Sequence, residues 1–358
     1  VSRKTEFISM VKKIFYVFLI ALFTFLIIVP FVSYNTYKMA VKEKAFNHLI
    51  TVRDLLKLQI WNYFNQRYGD IDILSRNPVI AQGFTRLSNA IHTFGHESSQ
   101  FSTIVDLYQP LMEYYVFDYG YVNIFFIDKD GDVMFSAVKE DFTSTNLLTG
   151  TYKHNNIARV FKQGLMEVNF EDYTWNGAVS EFTSYFAAPV FEANELLGVL
   201  IIEIPFSHLD SMLTLRTGLG KTGEMYLVGD DGFMRSNSRF SVKPTMLQKE
   251  VDTNATKEAF EGYAGTMVMK DYRGVSVLSA YTPLNLNFMN WVLLVEMDEA
   301  EAFASIYSVE LKLTVIASII CFIALTYLYL KFKKEKKRVA YDEAEVSESE
   351  EDSDTESA

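Results

Sequence analysis

Cysteine and proline, the residues that cross-link or stiffen small secreted domains, are scarce in this sequence. Its 358 residues include one cysteine, Cys321, and seven prolines. A single thiol cannot form a disulfide within the chain, which excludes the disulfide-rich class of secreted domains. Any folded part must rely on a buried apolar core, which an aromatic content of 15% makes feasible.

Residue patterns of common catalytic and metal centres are absent as well. The five histidines form no H-E-x-x-H pattern, and no G-x-S-x-G nucleophile motif occurs. His92 and His96 have the spacing of neighbours on one helix face, but two solvent-exposed histidines explain this spacing better than a metal site. We therefore expect no enzyme activity, no cofactor and no bound metal.

Two short motifs match ligand-binding loops only in part. Residues 128–132 (D-K-D-G-D) lack the glycine spacing of a calcium-binding EF-hand, and Lys139 stands where its glutamate would be. Residues 218–223 fit G-x-G-x-x-G, but Leu215 replaces the first glycine of a phosphate loop, and a strand-like segment follows. We interpret both motifs as tight turns.

Basic residues are in deficit, since the formal net charge is −12 at pH 7. This deficit argues against a nucleic-acid partner, which would need a basic face. Basic side chains cluster in 1–13 and 331–338, where we expect them to contact membrane lipid head groups. Residues 341–358 are acidic, rich in serine and almost without apolar side chains, which predicts a disordered tail.

Two long uncharged stretches, 14–37 and 313–330, are the most informative features of the chain. Each is long enough to cross a hydrocarbon core of about 30 Å as a helix. Their basic flanks predict that both termini are cytoplasmic. We expect a cytoplasmic N-terminus (1–13), two transmembrane helices, a central extracytoplasmic domain (38–305) and a cytoplasmic C-terminal segment (331–358).

The hydrophobic period between these stretches changes from helical to extended. Apolar residues recur every three or four positions from about 39 to 77, which predicts a helix that ends before Pro78. After Gly120, β-branched and aromatic runs alternate with turns, and the pattern occurs twice, over about 115–205 and 216–297. We predict an α+β fold in which a long N-terminal helix precedes two tandem antiparallel-sheet modules.

The segment 147–184 combines many aromatic residues with few charges, a composition typical of small-ligand pockets. An ordinary aromatic core is the alternative interpretation for each residue by itself. For the cluster as a whole we favour a ligand pocket. The candidate residues are Tyr152, His154, Arg159, Phe161, Tyr173, Trp175, Phe182 and Ser184.

Several motifs make residues 40–305 resemble the double-Cache sensor domain, the periplasmic part of many bacterial chemoreceptors, sensor kinases and cyclases. The motifs are R-Y-G-D at 67–70, T-N-L-L-T-G at 145–150, F-A-A-P-V at 186–190, G-V-L-I-I at 198–202, the runs 217–229 and 234–236, and D-Y-R-G-V at 271–275. The resemblance implies a long helix along two stacked PAS-like sheets. It also implies a ligand-binding distal module at about 79–205 and a proximal module at about 206–305.

One branch of this family binds amino acids through an Arg-x-Trp-Tyr motif, a later tyrosine and an aspartate on the last distal strand. The matching residues here are Arg159, Phe161 and Lys162, followed by Tyr173 and Glu203. The resemblance implies that Arg159 binds a carboxylate and that Glu203 binds an ammonium group. Because Lys162 replaces a tyrosine, another small organic acid or an amine is equally admissible.

Together, these patterns predict a transmembrane signal-transduction receptor, dimeric along the helix 39–77, that senses a small extracytoplasmic ligand. No kinase, cyclase or methyl-accepting coiled-coil pattern follows Arg338. Signalling would therefore use a separate cytoplasmic partner, with the acidic tail as a candidate docking site, unless the sequence is a truncated receptor. The alternative is a membrane-anchored binding or scaffold protein that does not signal.

Overall fold

The computed structural model describes residues 2–138, 144–214 and 218–355. Lys139, Leu215 and Thr217, which entered the motif comparisons above, lie outside the described residues. The described chain forms two units, one that comprises the part before Ala45 together with the part after Glu301, and one that comprises the part between them.

Three helices open the chain. Helix α1 (Ser2–Ser75) ends just before Asn77 and Pro78, as the pattern predicts. Helix α2 (Pro78–Phe94) begins where the Asn77 side chain accepts a hydrogen bond from the Val79 N–H group. Helix α3 (Ser99–Tyr119) ends at Gly120, whose φ of 71° places it in the left-handed region that glycine tolerates.

The first sheet is antiparallel and has five strands in the order β2-β1-β5-β4-β3. Its strands are β1 (Asn123–Asp128), β2 (Val133–Ser136), β3 (Asn169–Asn176), β4 (Glu181–Glu192) and β5 (Glu195–Pro205). The short helix α4 (Asn156–Gly164) covers one face of this sheet and buries Phe161 against Ile201 and other apolar residues. Helices α2 to α4 and this sheet are called the first module below.

The second sheet is antiparallel and has four strands in the order β6-β9-β8-β7. Helix α5 (Ser207–Leu213) leads to it, and helix α6 (Asn254–Phe260) covers one of its faces. Its strands are β6 (Glu224–Gly229), β7 (Gly265–Lys270), β8 (Ser276–Pro283) and β9 (Trp291–Asp298). These elements form the second module. The two antiparallel sheets and the N-terminal helix confirm the predicted α+β fold.

The part of α1 that follows Ala45 packs along both modules. The Phe64 ring contacts Phe170 of β3 and Trp291 of β9 edge-on, with ring centroids 5.7 and 5.6 Å apart. About three helical turns before Phe64, the Arg53 guanidinium donates hydrogen bonds to the carbonyl oxygens of Gly265 and Tyr281. One helix face therefore stabilises the positions of both sheets.

Two turns that resemble ligand loops in sequence are stabilised by the chain itself. The Asp128 carboxylate accepts the backbone N–H groups of Asp130 and Asp132, and the Asn146 side chain donates to the Asp132 carboxylate. Residues 218–223 lead into β6, and the Glu301 carboxylate accepts two backbone N–H groups of this turn.

In each sheet, a buried glutamate on an interior strand faces polar or aromatic residues on both neighbouring strands. The two rows are Asn123–Glu203–Tyr185 in the first sheet and Glu224–Glu296–Ser279 in the second. Directly opposite residues of an antiparallel pair point to the same face. Both rows therefore lie on the sheet face that the short helix, α4 or α6, covers.

Helix α7 (Glu299–Ala302) follows β9, and helix α8 (Ala304–Thr355) completes the described chain. Among the described residues, Thr314–Lys331 of α8 is the one helical stretch that is long and apolar enough to cross a membrane, by length and composition only. It coincides with the second predicted span. The first, 14–37, remains a prediction. The backbone is helical as far as Thr355, although composition predicts disorder there; glutamate is a good helix former.

Candidate ligand-binding site

The first module contains an open cavity of about 590 Å³ beside the N-terminus of α4. It is lined by Tyr152 and residues 154–157 around the start of α4, by residues 174–178 at the end of β3, and by Tyr185 of β4. Clefts of this size accommodate small organic molecules. The cavity lies in the segment for which the sequence predicts a pocket.

The first two residues of α4, Asn156 and Ile157, line this cavity. Asn155 precedes the first helical residue with extended backbone angles, but its side chain makes no capping hydrogen bond. The first N–H groups of a helix have no partner within the helix and carry a partial positive charge. The arrangement can therefore bind the carboxylate of a ligand without a basic side chain.

A buried carboxylate lies behind the opposite wall of the cavity. The Asn176 side chain lines the cavity and donates a hydrogen bond of 2.8 Å to Glu203, which is fully buried on β5. Burial raises the pKa of Glu181, and the nearby charge of Glu203 raises it further. This wall therefore combines an amide with acidic groups, which suits an ammonium or other hydrogen-bond donor on a ligand.

Some of the residues that the sequence nominates do lie at the cavity. Tyr152, His154 and Trp175 line it directly. Phe182 packs edge-on against Trp175, with ring centroids 5.3 Å apart, and supports that wall. Glu203 does not line the cavity but accepts a hydrogen bond from Asn176, which does.

Arg159 does not line the cavity. It lies on the exposed side of α4, where its guanidinium binds the Glu171 carboxylate at 2.5 Å and the Asn156 side-chain oxygen. Burial raises the pKa of Glu171, and the hydrogen bonds from Arg159 counteract that effect. Arg159 thus positions Asn156, a lining residue, and links α4 to β3.

The other nominated residues lie elsewhere in the first module. Phe161 is fully buried between α4 and the sheet. The Tyr173 ring contacts Phe206 and Trp291, with ring centroids 5.4 and 6.0 Å apart, on the side of the sheet that faces α1. Ser184 is fully buried next to Tyr185, and strand alternation directs the two side chains to opposite faces.

Several lining residues were missed by sequence reasoning: Asn155, Asn156, Ile157, Thr174, Asn176 and Tyr185. Two local signals mark part of them. The Asn155-Asn156 pair precedes the apolar period of α4, as helix-capping residues do. The Asn176-Gly177 dipeptide is a common hairpin turn, and β3 and β4 are joined there.

A second cavity of about 690 Å³ lies between the two modules, lined by residues 170–172, Asp230 and residues 285–291. Two of its carboxylates already have cationic partners in the protein. Arg159 binds Glu171, and Arg235 of the second module binds Asp172 at 2.8 Å. The first cavity, which has no charged pair of this kind among its lining residues, is the better candidate for a ligand.

The family model described as "Cache domain" matches residues 34–306 of the chain. The ligand-binding domain of the Campylobacter jejuni chemoreceptor Tlp3 with 4-methylisoleucine has a TM-score of 0.51 and 11% identity, with 73% of this chain and 94% of that chain covered. The sensory domain of C. jejuni Tlp3 (CcmL) has a TM-score of 0.50 and 10% identity, with 74% and 98% covered. At these identities the likeness concerns the fold. No curated protein matches the chain.

Proposed function

The chain belongs to the Cache domain family, and we propose that it is a transmembrane receptor that senses a small ligand outside the cell. The observation that carries this proposal is the cavity of the first module. It joins the uncapped start of α4, aromatic walls and the Asn176–Glu203 pair within about 590 Å³. None of the described residues around it forms an arrangement suited to catalysis, so binding is the function that it supports.

The ligand that fits best carries both a carboxylate and an amine, as amino acids do. Its carboxylate would accept hydrogen bonds from the first N–H groups of α4, and its ammonium group would face Asn176 and Glu203. Tyr152 and Trp175 would contact its apolar part. A neighbour with the same fold binds 4-methylisoleucine, which agrees with this class. A small organic acid or an amine would use one half of the same arrangement.

We place the first module, at about 79–205, farther from the membrane than the second, at about 206–305. The uncharged stretches 14–37 and 313–330 and their basic flanks support two spans with both termini in the cytoplasm. The sensor would then lie in the periplasm or outside the cell.

We also propose that the receptor is a homodimer along α1. Leu55, Leu58 and Ile73 are exposed on the described part of this helix. Leu55 and Ile73 are separated by eighteen positions, five helical turns, and therefore lie on one line along its surface.

The test is ligand binding by the full chain in lipid nanodiscs, screened by thermal shift and calorimetry against amino acids, organic acids and amines. We expect one class to bind, and Glu203→Gln to weaken binding of an amine-bearing ligand at least tenfold. The matched control is Glu195→Gln, an exposed change on the same strand, which should leave affinity unchanged. The proposed site would be refuted if none of these classes of ligand bound, or if the two variants bound the ligand with equal affinity.

A further inference from the structure

The second module contains two buried carboxylates side by side. Glu224 of β6 and Glu296 of β9 are opposite residues in the strand register, and they are 5% and 2% exposed. Opposite residues of an antiparallel pair have Cβ atoms about 5 Å apart and point to one face. In the first module the corresponding pair is Asn123 and Glu203, with a single carboxylate.

The two carboxylates differ in their hydrogen bonds. Glu224 accepts the Tyr272 hydroxyl at 2.6 Å and the Arg239 backbone N–H at 2.9 Å, and the Ser238 hydroxyl donates to it at 2.7 Å. Glu224 is therefore the member of the pair that is well supplied with hydrogen-bond donors.

Glu296 has far fewer donors. The Tyr226 hydroxyl donates to its Oε2 atom at 3.0 Å, whereas its Oε1 atom has no hydrogen-bond partner among the described residues. Burial raises the pKa of Glu296 to about 8; the hydroxyls of Ser279 and Tyr226 oppose this shift, and the charges of Asp271 and Glu224 add to it. At neutral pH this side chain is therefore mostly a neutral acid.

Within the described residues, no cation is paired with either carboxylate. Of the nearby arginines, Arg273 is bound by Asp271 and Asp298, and the Arg239 side chain donates to the Gly223 carbonyl oxygen.

On the other packed elements, α1 contributes Arg53, which donates to backbone carbonyl oxygens, and α6 contributes Glu258, which accepts the Tyr281 hydroxyl. Lys249 lies over the Tyr272 ring, 5.7 Å from its centroid. The environment of Glu296 therefore disfavours a second negative charge.

We propose that Glu224 and Glu296 form a proton-binding site, through which the second module responds to the pH of the surrounding medium. The pair holds one proton on Glu296 at neutral pH and releases it in mildly alkaline medium. Two adjacent buried charges then repel each other across β6 and β9. The inference goes beyond ligand sensing and does not depend on which ligand the first module binds.

The sign of the effect on stability follows from proton linkage. In an unfolded chain Glu296 has the ordinary pKa of 4.5, whereas folding raises its pKa to about 8. Between these values the folded state binds more protons, so its stability falls as the pH rises through this window. Below the window both states are protonated, and above it the loss is complete.

The direct test is infrared spectroscopy of the full chain in nanodiscs, titrated from pH 6 to pH 10. A protonated carboxylic acid has a carbonyl stretching band that a carboxylate lacks. We expect a band that disappears with a midpoint near pH 8, is missing in Glu296→Gln and persists in the exposed control Glu195→Gln. In Glu224→Gln the midpoint should move to lower pH, because the neighbouring charge is removed.

A second measurement covers the case in which a variant is poorly folded. The temperature at the midpoint of thermal unfolding should decrease in the wild type as the pH is raised from 6 to 9. This pH dependence should be reduced in Glu296→Gln. An alkaline titration that survives in Glu296→Gln, or a wild-type chain without such a band, would overturn the proposal.

Discussion

The buried arginine between the two modules offers the sharpest test of how they are coupled. Arg235 of the second module is 4% exposed, and its Nε atom lies 2.8 Å from the carboxylate of Asp172 on β3 of the first module. Its remaining donors bind Asp231 and the Phe233 carbonyl oxygen. The Trp291 N–H group also donates to Asp172, at 3.3 Å. One guanidinium thus connects a strand next to the ligand cavity with the second sheet.

Arg235→Met keeps an unbranched side chain but removes the charge and every donor. Removal of one partner from a buried ion pair costs about 3–5 kcal/mol. The Asp172 side chain is 33% exposed and can partly rehydrate, so we expect a loss near 3 kcal/mol, at the lower end of this range. The assay is denaturant unfolding of the full chain in nanodiscs, followed by fluorescence.

The matched control is Arg76→Met. Arg76 also binds an aspartate, Asp72, but its side chain is 76% exposed, so we expect a loss below about 0.5 kcal/mol. The double variant of Asp172→Asn with Arg235→Met should lose less than the sum of the single variants. If Arg235→Met costs no more than Arg76→Met, or if the losses are additive, the ion pair does not couple the modules.

Two further changes test local geometry. In Gly198→Ala, the new Cβ atom would stand 2.1 Å from the Ile127 carbonyl oxygen on the paired strand, so we expect denaturant unfolding to show a loss of about 3 kcal/mol or more. Gly69→Ala, which meets no atom within 4 Å in α1, should instead be neutral or stabilising by up to about 1 kcal/mol. Glu301→Gln should weaken the hydrogen bonds that the backbone N–H groups of residues 221–222 donate to this side chain. We expect the free energy of unfolding at pH 7 to fall by about 1.5 kcal/mol. Burial acts to raise the pKa of Glu301, but these hydrogen bonds lower it overall, so its contribution is present above pH 4.5 and is lost as the pH falls further. If the free energies of unfolding of the wild type and Glu301→Gln differed by the same amount at pH 7 and at pH 3, this prediction would be contradicted.

The fold was predictable because its signals are periodic and occur twice. The change from helical to extended period after Gly120 marks the first sheet, and its repetition marks the second. The end of α1 was predictable because the residue before Pro78 avoids helical backbone angles. Such signals depend on local sterics and on burial of one face, both of which the sequence carries.

The site was less predictable, because it depends on which face each side chain takes. The pairing of β3 with β4 shifts register between Glu171 and Thr174. A register shift of one residue moves the side chains that follow it to the opposite face of the sheet, and the local sequence gives no indication of such a shift. Tyr173 consequently contacts Phe206 and Trp291 rather than the cavity. On α4, Arg159 was nominated from a motif, whereas the residues that line the cavity precede it by two to five positions.

The two modules show how one sheet position can serve different chemistry. Glu203 and Glu296 occupy equivalent places on the interior strands β5 and β9. In the first module the neighbour on the next strand is Asn123, and Asn176 connects Glu203 with an open cavity. In the second module the neighbour is Glu224, whose carboxylate accepts hydrogen bonds from groups of the protein itself. An amide beside a carboxylate adds no charge to its surroundings, whereas a second carboxylate favours retention of a proton by its neighbour. Whether the opposite residue is an amide or an acid therefore determines what the buried glutamate can bind.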